Sequence, residues 1–482
     1  MALPEFDICI IGGGAAGLVT AAGGATLGAK VALVEKHPDG MGGDCLHYGC
    51  VPSKTLLRSA KVAHLMRTAD RYAISSVTPQ IEISKVMQRV AGVIAGIQPN
   101  DSPERFRGLG VDVMFGEGKF TDPATFSVAG RNITARNFVI ATGSRPGVPP
   151  IPGLNDVPFL TNETVFKLNE SVASMIVIGA GPIGCEMAQA FARLGAKVTV
   201  VDLSATLLPR EDADLAAVVR HQMEADGIVF HLGVTPTKAE RQNGGIALTI
   251  KDQADQENTL VASHLLVAAG RKVNSEGLGL EAAGVQIEKG KIVSDATLRT
   301  TNKNIYVCGD VAGTSQFTHM AEHHAGVVLR NILNPLPIKF AKAETRVIPW
   351  CTFTDPELAR VGISEAEAKQ QNLPHRVYKF PFEEMDRARA EGETEGFAKI
   401  ITDPKGVILG AAIAGPHAGE LIHEYVLAIA KRMNTNDLSA IIHVYPTLAQ
   451  INRRVADQRR KESLTPNAKK WIMRLNGLRG NP

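Results

Sequence analysis

Asp7-Ile8-Cys9-Ile10-Ile11-Gly12-Gly13-Gly14-Ala15-Ala16-Gly17 is the stretch on which the fold turns. Its apolar run reads as a buried strand and leads without a break into G-x-G-x-x-G. A helix follows to about Leu27, and a second strand, Lys30 to Val34, ends on Glu35, 23 residues after Gly12. In such a unit Gly12 makes the turn, Gly14 lets a pyrophosphate approach, and Gly17 lets helix pack on strand. The helix N-terminus receives the phosphates, and Glu35 accepts hydrogen bonds from a ribose.

The unit recurs. Met175-Ile176-Val177-Ile178 leads into Gly179-Ala180-Gly181-Pro182-Ile183-Gly184, and the strand Lys197 to Val201 ends on Asp202, again 23 residues after its first glycine. One copy is weak evidence, because glycine turns are common. Two complete copies predict an α/β chain with two Rossmann-like dinucleotide-binding units, and suggest hydride transfer between a bound flavin and a diffusing nicotinamide. Asp202 hydrogen-bonds a free 2′-hydroxyl and repels a 2′-phosphate, while Leu203 and Ser204 offer no arginine, so NADH is favoured over NADPH. The copies differ two residues after the last glycine, with Val19 in the first and Glu186 in the second. A buried carboxylate there needs a cation, for which Lys54 is the candidate; an exposed acid complementing the helix dipole is the alternative.

A chain of 482 residues exceeds one core and implies several domains. With 44% apolar and 21% charged residues it has the composition of a soluble globular protein. Ile8 to Ala29 carries no charge, but seven glycines interrupt it and Glu5 and Asp7 precede it. It therefore reads as strand, turn and helix rather than a membrane span or signal peptide. A cytoplasmic location follows as an expectation, and a reducing compartment disfavours a permanent structural disulfide. From Arg453 onward nine Lys/Arg oppose only Asp457 and Glu462, which leaves the remainder mildly acidic. No nucleic-acid partner is expected.

Gly42 to Lys54 reads GGDCLHYGCVPSK, with Cys45 and Cys50 five residues apart. Neither helix nor strand brings such residues within disulfide range, so a bridge needs a contorted turn, which Gly49 permits. Pro52 suits the first turn of a helix beginning near Val51, which places Cys50 at a helix N-terminus with Lys54 one turn inside. There a thiolate is stabilised. Zinc needs three or four ligands, and only His47 could join the pair, so no metal is expected. The balance favours a redox pair, with zinc or an inert pair as alternatives.

This run resembles the G-G-x-C-x4-G-C-x-P-S-K signature of the pyridine nucleotide-disulfide oxidoreductases, which include dihydrolipoamide dehydrogenase, glutathione reductase and mercuric ion reductase. Ala141-Thr142-Gly143, Ala268-Ala269-Gly270-Arg271 and Ile305-Tyr306-Val307-Cys308-Gly309-Asp310 are similar to further family segments. The resemblance runs to about Asp457. It implies FAD-binding segments at 1–150 and 275–345, an NAD-binding domain at 151–274 and an α+β dimerisation domain at 346–460, opening with a strand over Val347–Phe353. A basic tail at 461–482 follows. By the same resemblance Cys45 exchanges with substrate, Cys50 contacts the flavin and Lys54 pairs with Glu186. Gly43, Thr142, Gly143 and Asp310 serve FAD, Gly270 and Arg271 mark the exit from the NAD domain, and a homodimer completes each active site from its partner. Cys9, Cys185, Cys308 and Cys351 read as small apolar fillers.

The chain departs from the dithiol-using members near its end. They carry His-Pro-Thr with a glutamate five residues after the histidine; this chain has His443-Val444-Tyr445-Pro446-Thr447-Leu448-Ala449-Gln450. Tyrosine, with a pKa near ~10, is a poor base at neutral pH, and glutamine cannot stabilise an imidazolium. His443 and His47 are the candidate replacements. Tyr445 and Thr354-Asp355-Pro356 resemble mercuric ion reductase, but no cysteine follows Cys351 to hand over a soft metal. The expected activity is electron transfer from NADH through FAD to the Cys45–Cys50 disulfide and on to a thiol/disulfide acceptor, as in dihydrolipoamide dehydrogenase. The alternatives are a soft-metal reductase and a partner-docked electron-transfer or redox-sensing subunit. Trp471, Ile472, Leu475 and Leu478, interspersed with Lys469, Lys470, Arg474 and Arg479, suggest either a solvated or dimer-packed helix or a docking helix for an acidic partner or anionic membrane.

Overall fold

The computed structural model describes residues 3–242, 244–335 and 341–480. Strand Phe6–Ile11, helix Ala15–Thr26 and strand Val31–Glu35 follow one another around the first glycine turn. Phe6–Ile11 has parallel partners on both sides, Val31–Glu35 and Arg131–Ile140, which is why its apolar run is continuous rather than alternating. Ile305–Val307 also pairs in parallel with Arg131–Ile140. The chain thus leaves this sheet after Ile140, builds another unit, and comes back to it.

That second unit is a parallel sheet in the order Val229–Leu232, Lys197–Asp202, Ser174–Ile178, His264–Val267. A smaller antiparallel sheet, Thr235–Gln242 with Gly245–Lys251 and Glu257–Ala262, packs beside it. The outgoing and returning passages pair with each other, Ser144–Pro146 antiparallel to Arg271–Val273. The third unit is an antiparallel sheet in the order Pro349–Thr352, Glu357–Gly362, Ile408–Gly415, Phe397–Thr402, Arg376–Pro381. Its first strand is shorter than the span Val347–Phe353 at both ends, where the Val347 amide bonds Glu344 Oε1 at 3.3 Å and the Phe353 amide bonds Glu186 Oε1 at 3.0 Å.

Ionic clamps hold the second and third units together. Lys399, 1% exposed, lies 2.9 Å from Asp212, 3.0 Å from Asp214 and 2.7 Å from Glu365. The Arg193 guanidinium bridges Asp226 at 2.8 Å and Asp355 at 2.6 Å. Helix Gln450–Ser463 packs on the third sheet, whereas helix Pro466–Asn476 buries none of its residues.

Candidate redox-active site

The short helix Gly43–His47 and the long helix Cys50–Arg67 carry the two cysteines. Between them the chain folds over Asp44: a Cβ at Gly49 would come within 3.0 Å of both the Asp44 carbonyl and its Oδ2. Glycine at 49 therefore permits the turn that brings Cys45 and Cys50, here as free thiols, near disulfide distance. Cys50 is the first residue of its helix.

The two thiols are electrostatically unlike. The hydrogen bond that Cys45 gives holds the Cys50 pKa down to about 6, assisted by the Thr318 hydroxyl and the Lys54 charge and opposed by burial and Glu186. Thr318 Oγ1 lies 3.5 Å from Cys50 Sγ. Cys45, as the donor, is pushed up, and burial and the neighbouring Cys50 and Asp44 charges add to that. Lys54 Nζ lies 2.8 Å from Glu186 Oε2, whose side chain is 5% exposed, so the pair is an ion pair and Glu186 is not a surface acid. Lys54 also sits over the Phe353 ring at 4.3 Å. Burial disfavours the Lys54 charge, but Glu186 and Cys50 outweigh it and its pKa is raised.

The glycine turns pass a test for dinucleotides. A Cβ at Gly12 would lie 2.5 Å from the Ala141 carbonyl, and one at Gly17 1.9 Å from that of Gly12. In the second copy Gly179 and Gly184 are equally constrained, at 2.4 and 1.9 Å from the Ala268 and Gly179 carbonyls. The middle glycines are different. Nothing lies within 4 Å of a Cβ at Gly181, nothing nearer than 3.7 Å at Gly14, and both have ordinary extended backbones. Neither packing nor dihedral asks for glycine there, so each leaves open space at a helix N-terminus, as a pyrophosphate requires. The acids also behave alike: Glu35 Oε2 accepts from the Gly13 amide at 2.6 Å and Asp202 Oδ2 from the Ala180 amide at 2.5 Å.

Thr142, Gly143, Gly270 and Arg271 lie on or beside the paired passages between the nucleotide units. Thr142 Oγ1 donates to the Asn274 carbonyl at 2.6 Å, and the Gly143 carbonyl accepts from the Asn274 amide. Gly270 accepts from the Gly147 amide, and Arg271 Nε donates to Ser144 Oγ at 2.7 Å. Ser144 Oγ donates in turn to Asp310 Oδ2 at 2.6 Å, and burial raises the Asp310 carboxyl. Gly43 faces the first cradle, where a Cβ would meet the Gly14 Cα at 2.6 Å.

The C-terminal candidates lie apart. Among the described residues no hydrogen bond or ion pair links His443, Tyr445 or Gln450 to the cysteines. His443 faces acceptors at both ring nitrogens, the Ile441 carbonyl at Nδ1 (3.1 Å) and Glu424 Oε1 at Nε2 (3.0 Å). The exposed Tyr445 hydroxyl donates to Asp386 Oδ2 at 3.2 Å, and Gln450 opens helix Gln450–Ser463. His47 Nε2 contacts the Met41 carbonyl at 2.9 Å. Sequence reasoning missed Thr318 and Phe353, which carry no motif signal, and Asp44, whose only signal is a charge beside Cys45.

Known proteins place this geometry. Residues 6–325 match the family model described as pyridine nucleotide-disulphide oxidoreductase, and residues 348–455 match its dimerisation domain, which supports a homodimer. A mercuric reductase of Staphylococcus aureus is 33% identical over 448 residues, covering 92% of this chain and 81% of that protein. A dihydrolipoyl dehydrogenase of Chlamydia muridarum is 35% identical over 453 residues, covering 92% and 95%. Among solved structures, the Cu(II) complex of the HOCl-induced flavoprotein disulfide reductase RclA from Escherichia coli matches with a TM-score of 0.84 at 26% identity, covering 95% of this chain and 100% of that one. The chain belongs to the pyridine nucleotide-disulfide oxidoreductases, FAD-dependent enzymes that exchange electrons between NAD(H) and a disulfide.

Proposed function

We propose that this protein takes hydride equivalents from NADH, in preference to NADPH, and delivers two electrons through Cys45–Cys50 to a thiol/disulfide-type acceptor. The observation that carries the reading is the asymmetry of the pair. A disulfide that gains two electrons and one proton becomes one thiolate and one thiol; Cys50, at about 6, keeps the charge and Cys45 keeps the proton. Cys45 is then the residue that exchanges with the acceptor. Bound FAD supplies the two-electron exchange with the nicotinamide. Gly12, Gly14, Gly17, Glu35, Gly43, Lys54, Thr142, Gly143 and Asp310 would hold it, in a domain formed by 1–150 and 275–345. Gly179, Gly181, Gly184, Asp202, Gly270 and Arg271 would serve the nicotinamide dinucleotide in 151–274, with 346–460 as the dimer domain. The Asp202 carboxylate supports the NADH preference, worth about 1–3 kcal/mol for a charge-assisted contact.

The acceptor is not a free dithiol handled in the usual way. His443 has no ring nitrogen to spare, and tyrosine and glutamine stand where a base and its carboxylate are needed. Tyr445, with relatives named mercuric reductase and a neighbour solved as a Cu(II) complex, favours soft-metal reduction as the second reading. An acceptor screen with NADH and NADPH decides, using lipoamide, glutathione disulfide, Hg²⁺ and Cu²⁺. Wild type should prefer NADH, Cys50→Ser should lose turnover, and Tyr445→His with Gln450→Glu should raise dihydrolipoamide oxidation. Full turnover in Cys50→Ser, or equal use of NADPH, would contradict the reading.

The location we propose is cytoplasmic, with the basic tail as a docking helix for an acidic partner or anionic membrane surface. Among the described residues no helix is long and apolar enough to cross a membrane, and Trp471 and Leu475 are exposed on a helix with three basic residues, Lys469, Lys470 and Arg474, and no acidic one. Deletion from Thr465 should abolish salt-sensitive binding to anionic vesicles or partner; unchanged binding removes the docking role.

A further inference from the structure

Asp44 takes no part in the electron path, yet its side chain holds partners from two distant passages of the chain. Its Oδ2 lies 3.2 Å from an Arg271 guanidinium nitrogen, and its Oδ1 accepts from Asn162 Nδ2 at 3.1 Å. The same Asn162 amide nitrogen reaches the Tyr48 carbonyl at 3.2 Å, inside the turn that joins the two cysteines. Asn162 is buried, and the Arg271 side chain is 13% exposed.

These contacts come from different passages of the chain. Asn162 belongs to the segment entering the second nucleotide unit, where Leu160 bridges to Leu266 of that unit's sheet. Arg271 opens strand Arg271–Val273, the passage that leaves it. Both converge on one carboxylate, one residue before Cys45. The charges there do not cancel: Arg271 is shared between Asp44 and Asp310, whose Oδ2 lies 3.9 Å from Arg271 Nε. One cation faces two carboxylates, and the surplus negative charge adjoins the cysteine turn.

We propose that Asp44 is a positioning residue that ties the Cys45 turn to both inter-unit passages and keeps the dithiol strongly reducing. The proposal rests on Cys45–Cys50 being the redox pair. Two-electron reduction of the disulfide, with uptake of one proton, breaks the S–S bond and creates a thiolate. A fixed anion beside the turn destabilises that product and so drives the potential down. The Asp44 charge also raises the Cys45 thiol, in the same sense. Arg271 works the other way, and the two residues set the potential between them.

The test equilibrates the FAD-loaded enzyme with graded ratios of reduced and oxidised dithiothreitol at pH 7, traps thiols with a maleimide, and counts them on Cys45 and Cys50 by mass. Asp44→Asn keeps an acceptor for Asn162 but loses the charge. It should favour the dithiol by about tenfold, a shift of about 30 mV to less negative potential. Arg271→Gln should move the equilibrium in the opposite direction, and Asp44→Glu, which retains the charge, should stay near wild type. A pair that cycles at the same potential in wild type and Asp44→Asn, or shifts of one sign in Asp44→Asn and Arg271→Gln, overturns this proposal alone. A wild-type pair that never cycles overturns the redox reading and this proposal with it.

Discussion

A thiol held near pH 6 at a helix start is a thiolate over most of the neutral range, and Lys54 is part of the reason. In the dithiol form, alkylation of Cys50 by iodoacetamide should rise with pH to a plateau with a midpoint near 6. Lys54→Met removes a favourable charge and should move that midpoint upward, toward the ~8.5 of an ordinary thiol. An unchanged midpoint would mean that Lys54 acts only on Glu186. The Lys54–Glu186 pair could be suspected from the sequence, because two otherwise matched motifs differ at Val19 and Glu186. The partners of Asp44 could not, since Asn162 lies 118 residues away and no pattern connects them.

Helix Thr318–Ile332 illustrates what a single element contributes. It offers the Thr318 hydroxyl to Cys50 at its start, and in its second turn it buries His324, whose Nδ1 accepts the Gly309 amide at 3.3 Å. An accepting nitrogen must be unprotonated, and burial holds His324 down to about 4 from its ordinary 6.5. Between those values the unfolded chain binds the proton and the folded one does not. Stability is therefore complete above about 6.5 and falls as pH drops toward 4, by about 3 kcal/mol in total. His323, whose Nε2 accepts the Glu344 amide at 2.9 Å, is shifted the same way by burial and steepens the loss. His324→Gln keeps a possible acceptor without the titration, so its chemical-denaturation stability should vary less across pH 6.5 to 4. An equal pH slope in variant and wild type would exclude His324 as the source. The sequence shows His319, His323 and His324 together, but not which one faces inward toward the Gly309 amide.

Across the whole molecule, the docking of the third unit depends on ions that no motif announces. Lys399→Met would leave Asp212 without its cation, while Asp214 keeps Lys379 at 2.6 Å and Glu365 keeps Lys369 at 2.6 Å, and should cost about 3 kcal/mol in chemical denaturation, the lower end for a buried pair because two of the three carboxylates stay paired. A loss below the error of the measurement would show that the carboxylates separate freely. The sequence by itself determined the two nucleotide cradles, the cysteine turn and the family, because each is written in contiguous residues whose spacing is dictated by local backbone geometry. Tertiary structure alone decided that Glu424 and Ile441 occupy both nitrogens of His443, and that Asn162 and Arg271 meet on Asp44. Those outcomes depend on which distant charges lose their water together, and that is settled only when the units pack.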